Sequence, residues 1–210
     1  MLNKKYQSAP SAIASYDYTD IIEGTGIIKF MAYTNKDTSG TNYSLTRQTV
    51  FYSSDIELVD NNPGVTAALD IDFDLSPFNS PVTIRGTAVV NVCFECQADI
   101  ESGTGYAIAK IRKWDGAAET EIASTQSESL TDDYRILALN INVPKTHFKK
   151  GEILRLTIYC YGEKTAGGNN FHVVFGCDPQ NRDGTWIVPS TDNPVSTTKL
   201  EFYCPFEIDL

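Results

Sequence analysis

The stretch TKLEFYCPFEIDL, residues 198–210, alternates apolar and polar side chains from one end to the other. A period of two residues is that of a β-strand with one buried face, so these residues predict a strand. Pro205 has no backbone N–H to give to a neighbouring strand, so we expect it at a sheet edge or a β-bulge. The two faces carry Leu200, Phe202, Cys204, Phe206, Ile208 and Leu210 on one side, and Lys199, Glu201, Tyr203, Pro205, Glu207 and Asp209 on the other.

The same alternation recurs along the chain, and turn-forming sequences rich in Gly, Asn, Asp and Pro separate the segments. No long segment has the 3.6-residue period of an amphipathic helix. The further predicted strands are 26–34, 43–52, 67–75, 82–98, 106–114, 119–124, 134–143, 151–162 and 170–177.

Short strands at this spacing, with no change of composition to mark a second domain, predict an all-β fold. We expect a single-domain antiparallel β-sandwich of the jelly-roll kind over residues 24–210. Residues 1–23 are polar and rich in Ser, Ala and Tyr, and we expect an extended N-terminal arm there. Residues 178–197 form a predicted long loop that carries Trp186, and loops of this length tend to be functional.

Charge and hydropathy exclude several classes of partner. The chain of 210 residues has a net charge of −10 and a pI near 4.6. Such a chain repels nucleic acid and anionic lipid, so we expect neither as a partner. No apolar run approaches the ~20 residues that span a bilayer, and the opening MLNKKYQSAPSAIASYDY lacks the apolar stretch of a secretory signal.

The five cysteines favour free, buried thiols. Cys96, Cys160, Cys177 and Cys204 fall on predicted inward faces, and Cys93 does not. Cys93 and Cys96 spell C-x-x-C, but along a strand these two side chains point to opposite faces and their Cα atoms lie about 10 Å apart. A disulfide needs about 7 Å or less, and no second C-x-x-C completes a zinc site.

Neither a metal site nor a catalytic group is indicated by a complete motif. Asp70, Asp72 and Asp74 share one strand face at about 6.6 Å intervals, which is too far apart for one calcium ion without a bend. A solvent-facing acidic row that discourages sheet aggregation is the better interpretation. His147 and His172 occur without any nucleophile elbow, zinc helix or P-loop. We therefore expect no metal, no cofactor and no enzyme activity, although a dispersed Ser–His–Asp arrangement stays open.

Partly exposed aromatic side chains supply the candidate contacts. Such rings stack on sugars and are also enriched at protein interfaces, and the sequence leaves both uses open. Lys110, Arg112 and Trp114 share one strand face and form a small basic spot that suits an acidic neighbouring subunit. The candidate interface or glycan-contact residues are Tyr16, Tyr18, Trp114, Trp186 and Tyr203.

The C-terminal part of the chain resembles virion proteins of tailed bacteriophages. The resemblance is carried by FKKGEILRLTIYCYG at 148–162, FGCDPQNRDG at 175–184 and TTKLEFYCPFEIDL at 197–210. These small β-sandwich proteins decorate or cement capsids or form head fibres and tail attachments. The resemblance implies a homo-oligomer, a trimer, that binds the major capsid protein or other virion proteins, and it brings no catalytic residues.

Three functions follow as hypotheses. The first is a capsid-associated decoration or auxiliary subunit, located in the virion and made in the host cytoplasm. The second is a carbohydrate- or receptor-binding module of a phage tail or fibre. The third is an enzyme whose site is assembled from dispersed residues.

Overall fold

The structure is a computed structural model that describes residues 25–37, 40–48, 66–98, 103–131, 133–164, 171–179 and 199–207. The predicted arm at 1–23, most of the loop 178–197, and Tyr16, Tyr18 and Trp186 lie outside the described residues. None of the described residues lies in a helix, so the described part of the chain contains no helix that could cross a membrane.

Eleven strands make up most of the described chain, and the prediction of an all-β fold is confirmed. Each predicted strand overlaps an observed one, and 82–98 agrees at both ends. The strands are β1 (Thr25–Asp37), β2 (Gly40–Thr46), β3 (Thr66–Asp74), β4 (Val82–Ala98), β5 (Gly103–Trp114), β6 (Glu119–Gln126), β7 (Leu130–Thr131), β8 (Asp133–Phe148), β9 (Ile153–Lys164), β10 (Phe171–Phe175) and β11 (Glu201–Glu207).

The strands form two layers, which we call the first and the second sheet. The first sheet has the order β8–β4–β11–β1–β2, and β10 continues the β11 edge of β4. The second sheet has the order β3–β9–β5–β6, and β7 also pairs with β5. Among the described strands the pairings are antiparallel except for one parallel bridge between Ser44 of β2 and Asp74 of β3, where the two layers join.

The connections are those of a jelly roll. After β3 the chain enters the first sheet as β4, crosses to the second as β5 and β6, and returns as β8. It then crosses once more as β9 and ends in the first sheet as β11. The four-stranded sets β8–β4–β11–β1 and β3–β9–β5–β6 thus face each other, as in a double-sheet jelly roll.

One apolar core lies between the two sheets. The rings of Phe73 in β3 and Phe175 in β10 meet edge to face, with centroids 6.2 Å apart. Fully burying a phenylalanine contributes about 1.5–3 kcal/mol, so these rings are major terms in the stability of the sandwich. Its fully buried aromatic side chains are Phe30, Phe73, Phe94, Phe148, Phe175 and Phe202.

Pro205 lies at a bulge in an interior strand. The register of β11 against β4 shifts between Tyr203 and Phe206, and β4 has its own shift against β8 between Ile84 and Gly86. Gly86 has φ +110°, and a Cβ built there would lie 3.6 Å from that of Pro205. At the bulge the ladder is interrupted and does not need the N–H that proline lacks. The expectation of a bulge at Pro205 is therefore confirmed.

All five cysteines are buried and free of disulfides. Cys93 and Cys96 point to opposite faces of β4, as the strand geometry predicted, but Cys93 is as fully buried as the other thiols. Alternation predicted only the inward four, because it assigns a side chain to a face without showing what covers that face. Burial raises the pKa of Cys93 to about 12 and raises the pKa of Cys160 and Cys204 as well, so these thiols are inert at neutral pH.

Candidate functional site

An ion-pair network occupies one end of the outer face of the second sheet, and Arg155 of β9 is its centre. Nε and Nη2 of Arg155 donate to the two carboxylate oxygens of Asp74, at 2.6 and 2.8 Å. Its Nη1 donates to Asp72 at 3.0 Å and to Glu119 at 2.9 Å. The hydrogen bonds with Asp74 outweigh partial burial and raise the pKa of Arg155 above its ordinary value.

The register of the strands assembles this network. Asp74 pairs with Arg155, and Arg155 pairs with Arg112 of β5, so three charged side chains lie in one row across three strands. Arg112 in turn lies 3.6 Å from Asp72 and contacts Glu119 of β6. The acidic residues on either side keep the two guanidinium groups close to one another.

The network corrects two expectations about this face. Asp72 and Asp74 do not form a bare acidic row facing solvent, because Arg155 takes up both carboxylates. The basic spot is also wrong for Arg112, whose charge is matched within the chain. Within the described ranges, no group of three His, Cys, Asp or Glu side chains is placed to hold a metal ion.

Trp114, a predicted contact residue, lies at the end of β5 beside this network. The guanidinium carbon of Arg155 sits over the indole, 5.3 Å from the ring centroid, and the side chain is half-buried. A cation–π contact of this kind contributes about 0.5–2 kcal/mol. One face of the indole is therefore committed inside the molecule.

The other end of the same outer face carries three tyrosines, Tyr106, Tyr159 and Tyr161, which we call the tyrosine patch. Tyr106 of β5 lies directly opposite Tyr161 of β9, with ring centroids 5.4 Å apart and a 31° angle between the rings. Tyr159 follows two residues along β9 on the same face. The sequence interpretation missed this patch, although the alternation of Tyr159 and Tyr161 with Cys160 already pointed both rings outwards.

Charged side chains border the tyrosine patch. The Lys110 ammonium lies over the Tyr159 ring, 5.0 Å from its centroid, and Asp70 of β3 pairs with Tyr159 from the other side. The hydroxyl of Tyr161 donates to Glu163 at 3.3 Å. Burial, with the nearby Tyr106 and Asp70, raises the pKa of Tyr159, and that of Tyr161 is raised too, so both hydroxyls keep their protons at neutral pH.

Tyr203, another predicted contact residue, lies on the outer face of the first sheet, where it joins a small polar cluster. Its hydroxyl donates to Oε2 of Glu201 at 2.9 Å, and Glu201 also pairs with Lys29 of β1. The Lys29 ammonium lies 5.5 Å from the Tyr203 ring centroid. Burial, together with the hydrogen bond to Glu201, raises the pKa of Tyr203.

The outer face of the first sheet, which we call the first-sheet face, also carries the exposed large apolar side chains. Among the described residues these are Ile27 of β1, at 40% exposure, and Ile136 of β8, at 47%. The acidic groups of β11 on this face are ion-paired: Glu201 with Lys29, and Glu207 with Arg85 and Lys145. The negative charge that β11 brings to this face is therefore balanced by cations of β1, β4 and β8.

Of the histidines considered as catalytic groups, only His147 has a described side chain. It lies exposed near the end of β8, and its Nδ1 is 3.2 Å from Oγ1 of Thr83 on β4. The predicted strand 134–143 ends before His147, but the observed strand continues to Phe148. His172 pairs with Gln97 in the β10–β4 ladder, and its side chain lies outside the described part.

Comparison with known proteins gives no family. No family model and no curated protein matches the chain. Among solved structures, a CocE/NonD family hydrolase from Staphylococcus aureus is 11% identical with a TM-score of 0.49, covering 86% of this chain and 36% of its own. An aminopeptidase from a marine-sediment archaeon of the Thaumarchaeota is 8% identical with the same score, covering 86% and 37%.

A viral capsid protein is also among the matching solved structures. VP2 in the subviral particle of infectious bursal disease virus is 8% identical with a TM-score of 0.28, covering 96% of this chain and 63% of its own. This chain spans little more than a third of the length of the two hydrolases. Likenesses at these scores carry no argument about function.

Proposed function

We propose that the protein is a non-enzymatic structural subunit of a virion, a decoration or auxiliary protein that binds the major capsid lattice as a homo-oligomer. The first-sheet face carries the homo-oligomer part of this proposal, because it combines exposed isoleucines with paired charges. The resemblance of residues 148–210 to tailed-phage virion proteins supports the same role. In this role the protein is made in the host cytoplasm and works in the virion.

The composition of the first-sheet face suits a protein partner. Ile27 and Ile136 offer apolar contact, and Tyr203 adds an aromatic side chain of the type enriched at interfaces. Charge pairs such as Lys29–Glu201 leave little net charge to desolvate. Ile27 on β1 and Ile136 on β8 are separated by β11 and β4, so they offer a partner two separate apolar contacts on a face of paired charges.

The size of the first-sheet face also fits a subunit contact. The five strands contain 60 residues, and at about 3.3 Å per residue and about 4.8 Å between strands they cover on the order of 950 Å². A standard protein interface takes about 800 Å² from each partner. We assign the face to a second copy of this chain, because two copies with a net charge of −10 each can meet only where charge is locally balanced.

The described histidine supports the non-enzymatic part of the proposal. His147 lies on an exposed strand beside a threonine hydroxyl, an arrangement that a β-sheet surface produces without any catalytic use. Asp72, Asp74 and Glu119 of the second sheet are engaged with Arg155 and Arg112, so these three carboxylates serve the sheet as ion pairs. An alternative role, a carbohydrate- or receptor-binding module of a phage tail or fibre, is favoured by the tyrosine patch.

The test of the proposed role is co-purification with intact particles, followed by copy-number measurement by quantitative mass spectrometry. We expect the chain to sediment with particles and to be present in a fixed ratio to the major capsid protein. A copy number that follows the capsid lattice supports decoration. Absence from washed particles, or a few copies in each, contradicts the decoration role.

A further inference from the structure

We propose that the tyrosine patch of the second sheet binds carbohydrate, specifically a glycan chain of neutral or amino sugars. The patch lies on the sheet opposite the first-sheet face, so this site does not depend on the virion role and leaves that face free for a subunit. The inference rests on the ring geometry, the fixed framework and the polar border of the patch.

The rings provide the stacking surface. The C–H faces of a sugar ring pack against the π-face of an aromatic side chain, and tyrosine offers a large rigid surface with few rotatable bonds. Tyr106 and Tyr161 are cross-strand neighbours on β5 and β9, and Tyr159, with the Lys110 ammonium over one face of its ring, follows along β9. The surface is therefore longer than one ring, which suits consecutive units of a chain.

The framework holds the rings in place before any ligand binds. β5 and β9 are interior strands of the second sheet and pair along their whole length, from Gly103–Lys164 to Trp114–Ile153. Their inward faces are anchored in the core by Ala107, Ile158 and Cys160, all of them buried. Rings on such strands lose little freedom when a ligand stacks on them, and this preorganisation favours affinity.

The border supplies directional contacts and sets the charge preference. Asp70 and Glu163 are exposed carboxylates, and Lys110 is an ammonium donor beside Tyr159. These groups and the protonated tyrosine hydroxyls match the donors and acceptors of sugar hydroxyl groups. Two carboxylates against one ammonium disfavour sialic acids, uronic acids and phosphates and favour neutral or amino sugars.

A cross-strand pair such as Tyr106–Tyr161 also stabilises its sheet, so the test must separate binding from stability. The full chain is applied to a printed array of neutral, amino-sugar and anionic glycans, and the best neutral or amino-sugar oligosaccharide is then titrated by calorimetry. Tyr159→Ala and Tyr161→Ala remove patch rings. Tyr33→Ala is the matched control, since Tyr33 is a half-buried tyrosine on β1 of the other sheet. Melting temperatures are recorded for every variant.

We expect array signals on neutral or amino glycans and at least a tenfold loss of affinity in each patch variant, with Tyr33→Ala unchanged. Should a patch variant fail to fold, Asp70→Asn and Lys110→Gln test the border, and each is expected to weaken binding several-fold. No array signal, a preference for anionic glycans, or equal losses in patch and control variants would overturn the proposal. The proposal would also be overturned if the wild type gave no glycan signal and the patch variants lost binding to the capsid protein, because the patch would then be a protein contact.

Discussion

Arg155 lies over Trp114 with its guanidinium carbon 5.3 Å from the indole centroid, while its nitrogens hold Asp72 and Asp74. One side chain thus connects β3, β5 and β9, and through Glu119 also β6. Every strand pair of the second sheet is bridged at this end. The network therefore contributes to sheet stability rather than to an open binding site.

Replacing this guanidinium should be costly. Arg155→Lys keeps the charge but cannot make the two parallel hydrogen bonds to Asp74 or stack flat on Trp114. We expect the free energy of unfolding, measured with urea, to fall by about 1–3 kcal/mol. Arg135→Lys is the control, because Arg135 pairs with Glu128 in a mostly exposed bridge and its replacement should change stability by less than about 0.5 kcal/mol. Equal effects would contradict the importance of the network.

A second prediction concerns Gly105 of β5, which lies close against β4 of the other sheet. A Cβ at Gly105 would lie 2.9 Å from Cβ of Cys96 and 3.0 Å from the carbonyl oxygen of Tyr161. Gly105→Ala must therefore push β5 away from β4, and we expect it to cost about 1–3 kcal/mol in urea unfolding. Thr104→Ala, one residue earlier, is the control with little expected change. A Gly105→Ala protein as stable as wild type would show that the sheets do not meet this closely.

The cysteines give a third prediction. All five are buried and outside any disulfide, and burial raises the pKa of Cys93 to about 12. A thiol reagent at pH 8 should label almost none of them in the folded protein and all five after denaturation without reductant. Fewer than five after denaturation would indicate a disulfide, and rapid labelling of one thiol in the native state would contradict its burial.

Stability should vary with pH on both sides of a plateau. Burial acts to raise the pKa of Glu201, but the hydrogen bonds from Lys29 and Tyr203 outweigh it, and the pKa falls below its ordinary 4.5. The backbone N–H of Lys149 likewise lowers the pKa of Glu152. A carboxylate whose pKa is lower in the folded state stabilises the fold at pH values above its unfolded pKa. This contribution is lost as the pH falls, so stability should drop below about pH 4.5.

At alkaline pH, stability should fall as the pH rises. Burial, as the first cause, raises the pKa of Tyr159, Tyr203 and Cys93 above their ordinary values. These groups stabilise the fold below their unfolded pKa, and that contribution is lost above about pH 9. Urea unfolding across pH should show both limbs, and Glu201→Gln should flatten the acid limb while Glu128→Gln does not. A curve that rises below pH 4.5 would contradict the ion-pair assignment.

Local alternation predicted the strands because the buried face of each strand is marked by apolar residues at every second position of that strand's own sequence. It missed β7, since two residues are too few to show a period. It also ended the predicted strand at residue 143, whereas β8 continues past His147 to Phe148. The ion pairs of Arg155 depend on how β3, β5, β6 and β9 are aligned, and no single strand contains that information. Hence Trp114 was correctly singled out as a half-buried aromatic, but its partner could not be foreseen.

The tyrosine patch was likewise predictable from the sequence only in part. The outward direction of Tyr159 and Tyr161 was available from their alternation with Cys160, and only Tyr106 needed the β5–β9 register to join them. Tyr203 was predicted as a contact residue, and the structure shows its hydroxyl engaged with Glu201. The predictions for Tyr16, Tyr18 and Trp186 stay predictions.

Self-association through the first-sheet face is measured most directly as the mass of the full chain in solution. Size-exclusion chromatography with light scattering should give a multiple of 23.2 kDa for the wild type. It should give the single-chain mass for Ile27→Asp/Ile136→Asp, whereas Thr120→Asp/Ser124→Asp, with the same added charge on exposed β6 positions, should keep the wild-type mass. A wild-type mass of 23.2 kDa at high concentration, or an oligomer that survives both aspartates on the first-sheet face, would contradict this account.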